Sequence, residues 1–450
     1  VNVLWEGGCG PKRIRRKSFE TRKAILDAAA RLFCENGYVG TTLKEIATAA
    51  GIEPASLYYY FASKEDLLDD VFDIGCRQIT DAVSTVYQEC EASGASFKET
   101  FTGMVREHLD QILGGSDFTA AIMRNFSILS PEARARQRRS FKIYGDLWTN
   151  AFKNAQQKGE IRPDISAITL KQLIVGALNW TAVWFDRDSF SICEYTDSTV
   201  SLLLDGLLSP DNLWDGREPA AITIEPMSPK IAGRSKAAQT RLHILLSTTR
   251  ALQKKGYDGV TLRYIAEVAG IEAGSIYYHF SSKEEIIDDV LSRGLNEIAE
   301  GVIYILENEI DYPDYTSRIA AAIRTHMLYL FVRNDFIALN IRIFGQLPLD
   351  IREKHRPVRQ QYAAAWNQIL KQAQASGEIR NELNIFQMQQ LLLGALNWSV
   401  NWYHPDLDKA EESKSLDDLI KKILVVFLDG IATEKQEIVS QGIKTSLQPD

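Results

Sequence analysis

Histidine, cysteine and methionine are scarce in this chain: 6, 5 and 5 among 450 residues. The histidines are scattered, and no HExxH helix motif, phosphate-binding glycine loop or nucleophile elbow occurs, so the common hydrolase and nucleotide-enzyme signatures are missing. The cysteines (Cys9, Cys34, Cys76, Cys90 and Cys193) all lie in the first half and form no CxxC pair. Reduced thiols are expected, with no metal site and no cofactor. No apolar run approaches membrane-spanning length and no signal peptide opens the chain, so a cytoplasmic protein is expected, away from any membrane. The formal net charge of −8 excludes an indiscriminate polyanion binder but leaves room for a local basic face.

What the chain does have is a repeat. Residues 21–71 recur, without a gap, at 240–290. A second match, one residue out of that register, pairs Gly159-Glu-Ile-Arg162 with Gly377-Glu-Ile-Arg380. It also pairs Gly176-Ala-Leu-Asn-Trp180 with Gly394-Ala-Leu-Asn-Trp398. A long two-part repeat excludes a solenoid of short units. It reads as a dimer written as one polypeptide, with domains at 18–72, 73–208, 237–291 and 292–432 and a proline-bearing linker at 209–236.

The apolar positions follow the helical period throughout, so the fold expected is all-α. Lys12-Arg-Ile-Arg-Arg-Lys17 reads as a basic arm ahead of the first helix. That helix carries Ile25, Ala29, Leu32 and Phe33 on one face and stops at Gly37. Thr42-x-x-Glu45 is a capping box that opens helix two, Gly51 breaks the chain, and Pro54 starts a short helix to Tyr60. Ser63-x-x-Asp66 and Ser282-x-x-Glu285 cap a long fourth helix in each copy. The remainders predict helices over 97–113, 118–128, 131–157, 164–185 and 196–208. Their partners are 315–333, 335–345, 350–375, 384–403 and 412–430.

Two helices joined by a tight glycine turn form a helix-turn-helix, in which the first helix braces a short second helix in the DNA major groove. On that reading Glu53, Pro54, Ala55 and Ser56 face bases, as do Glu272, Ala273, Gly274 and Ser275. Thr42, Tyr59 and Lys64, with Thr261, Tyr278 and Lys283, meet phosphates. Arg15 and Arg16 of the arm reach the minor groove or phosphates. Tyr58, Phe61, Tyr277 and Phe280 are read as core.

Thr42-Leu-x-x-Ile-Ala47, Gly51-Ile, Leu57-Tyr-Tyr-x-Phe61 and Ser63-Lys-Glu-x-Leu67 resemble the DNA-binding domain of TetR/AcrR-type transcriptional regulators. Thr261-Leu-x-x-Ile-Ala266, Gly270-Ile, Ile276-Tyr-Tyr-His-Phe280 and Ser282-Lys-Glu284 resemble it again. Tyr60 departs from the family histidine that survives as His279, and Glu53 and Glu272 replace a small polar residue. The resemblance implies two tandem units, each a three-helix DNA-binding domain followed by a helical domain for ligand and dimerisation. It also implies a repressor that leaves a palindromic double-stranded operator when a small molecule binds. The last two helices of each unit are then expected to pair within the chain as a monomeric pseudo-dimer.

Polar and aromatic residues shared by the two helical domains are the candidates for lining a ligand pocket. They are Arg106/Arg324, His108/His326, Arg124/Arg342, Tyr144/Tyr362, Trp148/Trp366, Asn179/Asn397, Trp180/Trp398 and Trp184/Trp402. The Gly-Ala-Leu-Asn-Trp segment resembles family members that sense acyl-coenzyme A thioesters. Arginines beside aromatic rings suit such an anionic, bulky effector, while hydrophobic acids and drug-like ligands stay open. The alternative in a different class is a helical scaffold that kept the fold and lost DNA binding; an enzyme finds no motif to support it.

Overall fold

The computed structural model describes residues 12–38, 40–126, 131–185, 190–206, 214, 224, 235–257, 259–333, 335–343, 347–403 and 415–430, and every regular element among them is helical. The first unit opens with α1 (Lys12–Asn36), α2 (Leu43–Ala49), α3 (Pro54–Leu57) and α4 (Lys64–Ser93). It continues with α5 (Phe97–Asp110), a π-helical turn (Gln111–Gly115), α6 (Asp117–Asn125), α7 (Pro131–Lys158), α8 (Ala167–Trp184) and α9 (Ile192–Asp205). The second unit repeats the order. It has α10 (Lys236–Lys255), α11 (Leu262–Ala269), α12 (Ala273–Tyr277), α13 (Lys283–Glu307), α14 (Tyr315–Leu328) and a π-helical turn (Tyr329–Arg333). Then come α15 (Asp335–Ile343), α16 (Leu349–Lys354), α17 (Arg356–Ala375), α18 (Ile385–Trp398) and α19 (Leu416–Leu428).

Most predicted elements form, and the departures have local causes. The basic segment is not an arm ahead of α1 but its first turns; the side chains of Arg15 and Arg16 lie outside the described residues. The helix expected over 350–375 divides at His355, because Pro357 in the first turn of α17 has no N–H to donate to the Glu353 carbonyl and its ring crowds it. Position 139 of the first unit is Arg139, and there α7 runs unbroken. The helix expected from 196 begins at Ile192, where the Ser191 hydroxyl caps it. Helices α4 and α13 run straight through the boundaries expected at 72 and 291, so each DNA-binding domain is rigidly joined to the helical domain after it. Of the linker, Trp214 is described: it packs on the core and its backbone N–H donates to Asp429 Oδ1 at 2.9 Å.

Three cores result. Ile25, Phe33, Ile46, Leu57 and Phe61 lie in one DNA-binding core; Leu245, Ile265, Ile276 and Phe280 lie in the other. The third is continuous across both helical domains, from Ile79 to Leu428. It joins the units because α8 and α18 pack face to face, flanked by α9 and α19. The close approach needs glycine at the crossing. A Cβ on Gly176 would sit 2.6 Å from Trp398 Cδ1, and one on Gly394 would sit 2.7 Å from Trp180 Cβ. At the ends of α9 and α19 the backbones themselves touch: Gly206 (φ +75°) and Gly430 (φ +82°) each leave no room for a side chain against the other strand of chain. Leu173, Ile174, Leu391 and Leu392 are buried here, each contributing about 1.5–3 kcal/mol by leaving water.

Candidate nucleic-acid interface and effector core

The base-facing residues named from sequence stand clear of the protein. Glu53, Pro54, Ala55 and Ser56 at the start of α3 are exposed, as are Glu272, Ala273, Gly274 and Ser275 at the start of α12. Each short helix is held from beneath by one or two residues, Leu57 and Phe61 in the first unit and Ile276 and Phe280 in the second. The turn before each helix is made by Gly51 (φ +69°) and Gly270 (φ +64°), a conformation that side chains resist. Tyr59 and Tyr278 are 82% and 85% exposed, so their phenols are available to a phosphate. Tyr60 and His279 are half-buried, edge-on against those rings.

Tyr58 and Tyr277 are not core. They are 61% and 62% exposed, because each helix is about one turn long and buries only the positions four apart that straddle them. Phe61 and Phe280 are buried as expected. One more aromatic surface is thus added to each candidate DNA face, a feature legible only once the helix length was known.

Thr42 caps α2 as anticipated, accepting from Glu45 N at 3.2 Å and donating to Glu45 Oε2 at 2.8 Å. Thr261 accepts from Tyr264 N at 3.2 Å, but the second unit has no acidic residue to complete the box. Lys64 has a local task. Its ammonium donates to Tyr38 O and Thr41 O, both at 2.9 Å, and lies 4.2 Å from the centre of the Tyr38 ring. Lys283 repeats this with Tyr257 O at 3.2 Å and the Tyr257 ring at 4.4 Å. Both lysines therefore tie α4 or α13 to the loop before the helix-turn-helix. Sequence reading passed over a second clamp: Arg22 pairs with Asp70 above the Phe61 ring, and Arg241 pairs with Asp289 at 2.8 Å above Phe280.

In the helical domains the expected ligand set divides. His108, Tyr144, Trp148 and Asn179 come together on α5, α7 and α8, with His108 Nδ1 2.5 Å from the Tyr144 hydroxyl. His326, Tyr362, Trp366 and Asn397 repeat the group, with His326 Nδ1 2.6 Å from the Tyr362 hydroxyl. Burial pushes the His108 imidazole down to about 3, against the opposing effect of the Asn179 amide. It pushes His326 down to about 4, opposed by Asn397. Burial also pushes both tyrosines up. At neutral pH each pair is a neutral imidazole against an intact phenol.

The remaining candidates do not line this core. Arg106 turns out to Asp197 on α9 at 3.5 Å, and Arg324 to Asp417 on α19 at 2.7 Å; both latch helices together. Arg124 is exposed, and Arg342 donates to Val400 O. Trp180 and Trp398 fill the crossing of α8 and α18, and Trp398 also stacks on Phe126 of the first unit at 5.4 Å. Trp184 crosses to Phe386 of the second unit at 5.3 Å, while Trp402 packs against Tyr403. Trp180 and Trp398 recur because a twofold-like interface uses the same residue from both sides. The arginine of the repeated Gly-Glu-Ile-Arg has the same cause. Arg162 donates to Gly430 O at 3.3 Å and Arg380 to Ser201 O at 3.2 Å, each reaching across to the other unit.

A separate open groove of about 530 Å³ lies between α17 and α18, lined by Ala363, Asn367, Lys371, Phe386 and Gln390 among others, none of them an expected ligand residue. Among the described residues no group of three or more metal-ligating side chains occurs, and no helix is long and apolar enough to cross a membrane.

Two sequence families match, each twice. "Bacterial regulatory proteins, tetR family" matches residues 25–71 and 244–290, and "Tetracyclin repressor-like, C-terminal domain" matches 94–207 and 313–424. The chain belongs to the TetR family. It holds two complete TetR units in tandem. The HTH-type transcriptional repressor KstR2 of Rhodococcus jostii is 30% identical over 194 residues, which are 42% of this chain and 93% of that protein. The fatty acid metabolism regulator protein of Bacillus subtilis is 26% identical over 187 residues, 41% of this chain and 93% of that protein. Among solved structures, AibR in complex with isovaleryl coenzyme A and operator DNA is 30% identical and covers 40% of this chain and 96% of its own, with a TM-score of 0.37. The two sequence relatives are thus each matched nearly end to end by less than half of this chain, as a tandem duplication requires.

Proposed function

We propose that this TetR-family chain is a single-chain repressor that reads one near-palindromic operator with both helix-turn-helix domains and leaves it when a small organic effector enters the helical domains. The observation that carries this reading is the reciprocal crossing of α8 and α18, with Gly176 under Trp398 and Gly394 under Trp180. It joins two DNA-binding domains within one chain, as the pairing of two subunits would. The half-sites are unequal, because Pro54-Ala55 stands against Ala273-Gly274 and the basic first turns of α1 have no equally dense counterpart before α10.

Release requires the helical domain to move the DNA-binding domain, and one path is visible. Helix α6 packs on both α1 and α4. Asn125 near its end accepts from Tyr38 N at 2.7 Å and donates to Phe33 O at 3.1 Å, fastening α6 to the end of α1. In the second unit Asn340 on α15 instead donates to Leu291 O of α13 at 3.2 Å. With a fatty acid metabolism regulator among the relatives, fatty acids and their coenzyme A esters are the first effectors to try. A salt-titrated binding experiment with promoter DNA tests the reading: specific binding by a species of one chain mass supports it. Absence of specific DNA binding favours a scaffold that merely kept the fold.

A further inference from the structure

We propose that Glu53 and Glu272 each read a cytosine, so that the operator carries the same base at one matched position of two half-sites that otherwise differ. This deepens the repressor reading and rests on it.

Three observations support it. First, these residues break a local rule that the chain keeps around them. Thr42 and Ser63, on either side of α3, cap α2 and α4 by accepting from the amide three residues on. Thr261 and Ser282 do the same on either side of α12. At α3 and α12 themselves the capping position holds glutamate, and its side chain makes no capping bond in either unit. Serine, threonine, aspartate and asparagine are the residues that serve there. A departure from the rule at the same place in both copies points to a task outside the fold.

Second, both carboxylates are exposed, and among the described residues neither meets a hydrogen-bond donor or a cation. Nearby carboxylates are engaged. Glu45 accepts from Thr42 N, Glu65 from the Tyr38 hydroxyl and Glu285 from Ser281 N, each at 2.7 Å. The backbone that carries the two glutamates is fixed, because Ser56 N donates to Glu53 O and Ser275 N to Glu272 O, both at 2.9 Å. An acceptor on a fixed stem, at the start of a recognition helix, is where base edges are read.

Third, the chemistry selects one base. An ionised carboxylate only accepts, and among phosphates it is repelled unless a donor meets it. In the major groove guanine presents two acceptors, thymine an acceptor and a methyl group, and adenine a donor beside an acceptor. Cytosine alone presents a donor with no acceptor on the same base. The next two residues differ between the units, Pro54-Ala55 against Ala273-Gly274, while the glutamate recurs. The glutamates therefore assign the matched cytosines, and the residues after them account for the unequal remainder.

The test uses the intact chain and a pool of random-sequence duplex DNA. Selection is expected to enrich a site with a C·G pair at matched positions of its two half-sites. Replacing either pair by T·A, which exchanges the donor for an acceptor, is expected to weaken binding by about fivefold or more. Glu53→Gln should abolish that penalty in one half-site and Glu272→Gln in the other; both positions are exposed, so the fold tolerates the change. An enriched site without matched cytosines, or a penalty that persists in the variants, would overturn the proposal. So would variants that bind every sequence tighter by the same factor, because the carboxylates would then merely repel DNA. A pool that yields no enriched site removes the repressor reading and this inference with it, an outcome distinct from an enriched site that lacks the cytosines.

Discussion

The two lysines at the starts of α4 and α13 show how one side chain changes meaning once its surroundings are known. From sequence, Lys64 and Lys283 are phosphate contacts at a helix N-terminus. In the fold their ammonium groups hold the carbonyls of the α1–α2 and α10–α11 loops. Hydrogen bonds to a charged group contribute about 1.5–3 kcal/mol. Lys64→Ala is therefore expected to destabilise its domain by about that much in urea denaturation. Weakened operator binding with unchanged stability would instead restore the phosphate role. Tyr59→Phe and Tyr278→Phe should behave in the opposite way, weakening DNA binding across sequences while leaving the melting temperature in place. The buried histidines set a pH dependence. Both are held neutral, at about 3 and about 4 against an ordinary value near 6.5. The unfolded chain therefore binds more protons than the folded one between those limits, and stability falls as pH drops below about 6.5. His108→Phe with His326→Phe should flatten that slope in denaturation curves taken from pH 7 to pH 4.

At the scale of helices, the close approaches differ in how far they can yield. At Gly176 the obstacle is a tryptophan ring, which can shift; at Gly206 it is backbone, with Leu428 O 2.3 Å from where a Cβ would stand. Gly206 also has positive φ and Gly176 does not. Overpacking costs about 1–3 kcal/mol, so Gly176→Ala is expected to fall in that range and Gly206→Ala to exceed it in the same assay. Equal losses would mean that the ends of α9 and α19 are looser than described. The helix pattern itself was legible in sequence because 3.6-residue periodicity, glycine stops and serine or threonine caps are local. The break at His355 follows from Pro357, a local signal that the periodicity of 350–375 masked. The exposure of Tyr58 and Tyr277 was not legible, since it depends on where α3 and α12 end.

At the scale of the molecule, joining two units in one chain changes the law of assembly. A tether holds its partner at an effective concentration near the millimolar range, so pairing of α8 with α18 does not fade on dilution. Light scattering is expected to give one chain mass at all concentrations; a persistent species of twice that mass would replace the pseudo-dimer with a chain-exchanged dimer. Footprinting should reveal half-sites of unequal strength, with removal of residues 1–17 weakening one more than the other. A symmetric footprint that ignores the truncation would count against unequal reading.

The sequence alone determined the all-helical class, the duplication and the family. These rest on local patterns that recur at fixed spacing, and repetition makes such patterns legible. It also marked which residues of the helical domains recur, but not why. Shared identity has two physical sources in a duplicated chain: the same job inside each unit, or the same job across the axis between them. Only tertiary structure separates them. It placed His108, Tyr144 and Trp148 inside one unit, and Trp180, Trp184 and Arg162 across the interface. It also turned Arg106 away from the core, because a partner on another helix, invisible to sequence spacing, decides where a long charged side chain comes to rest.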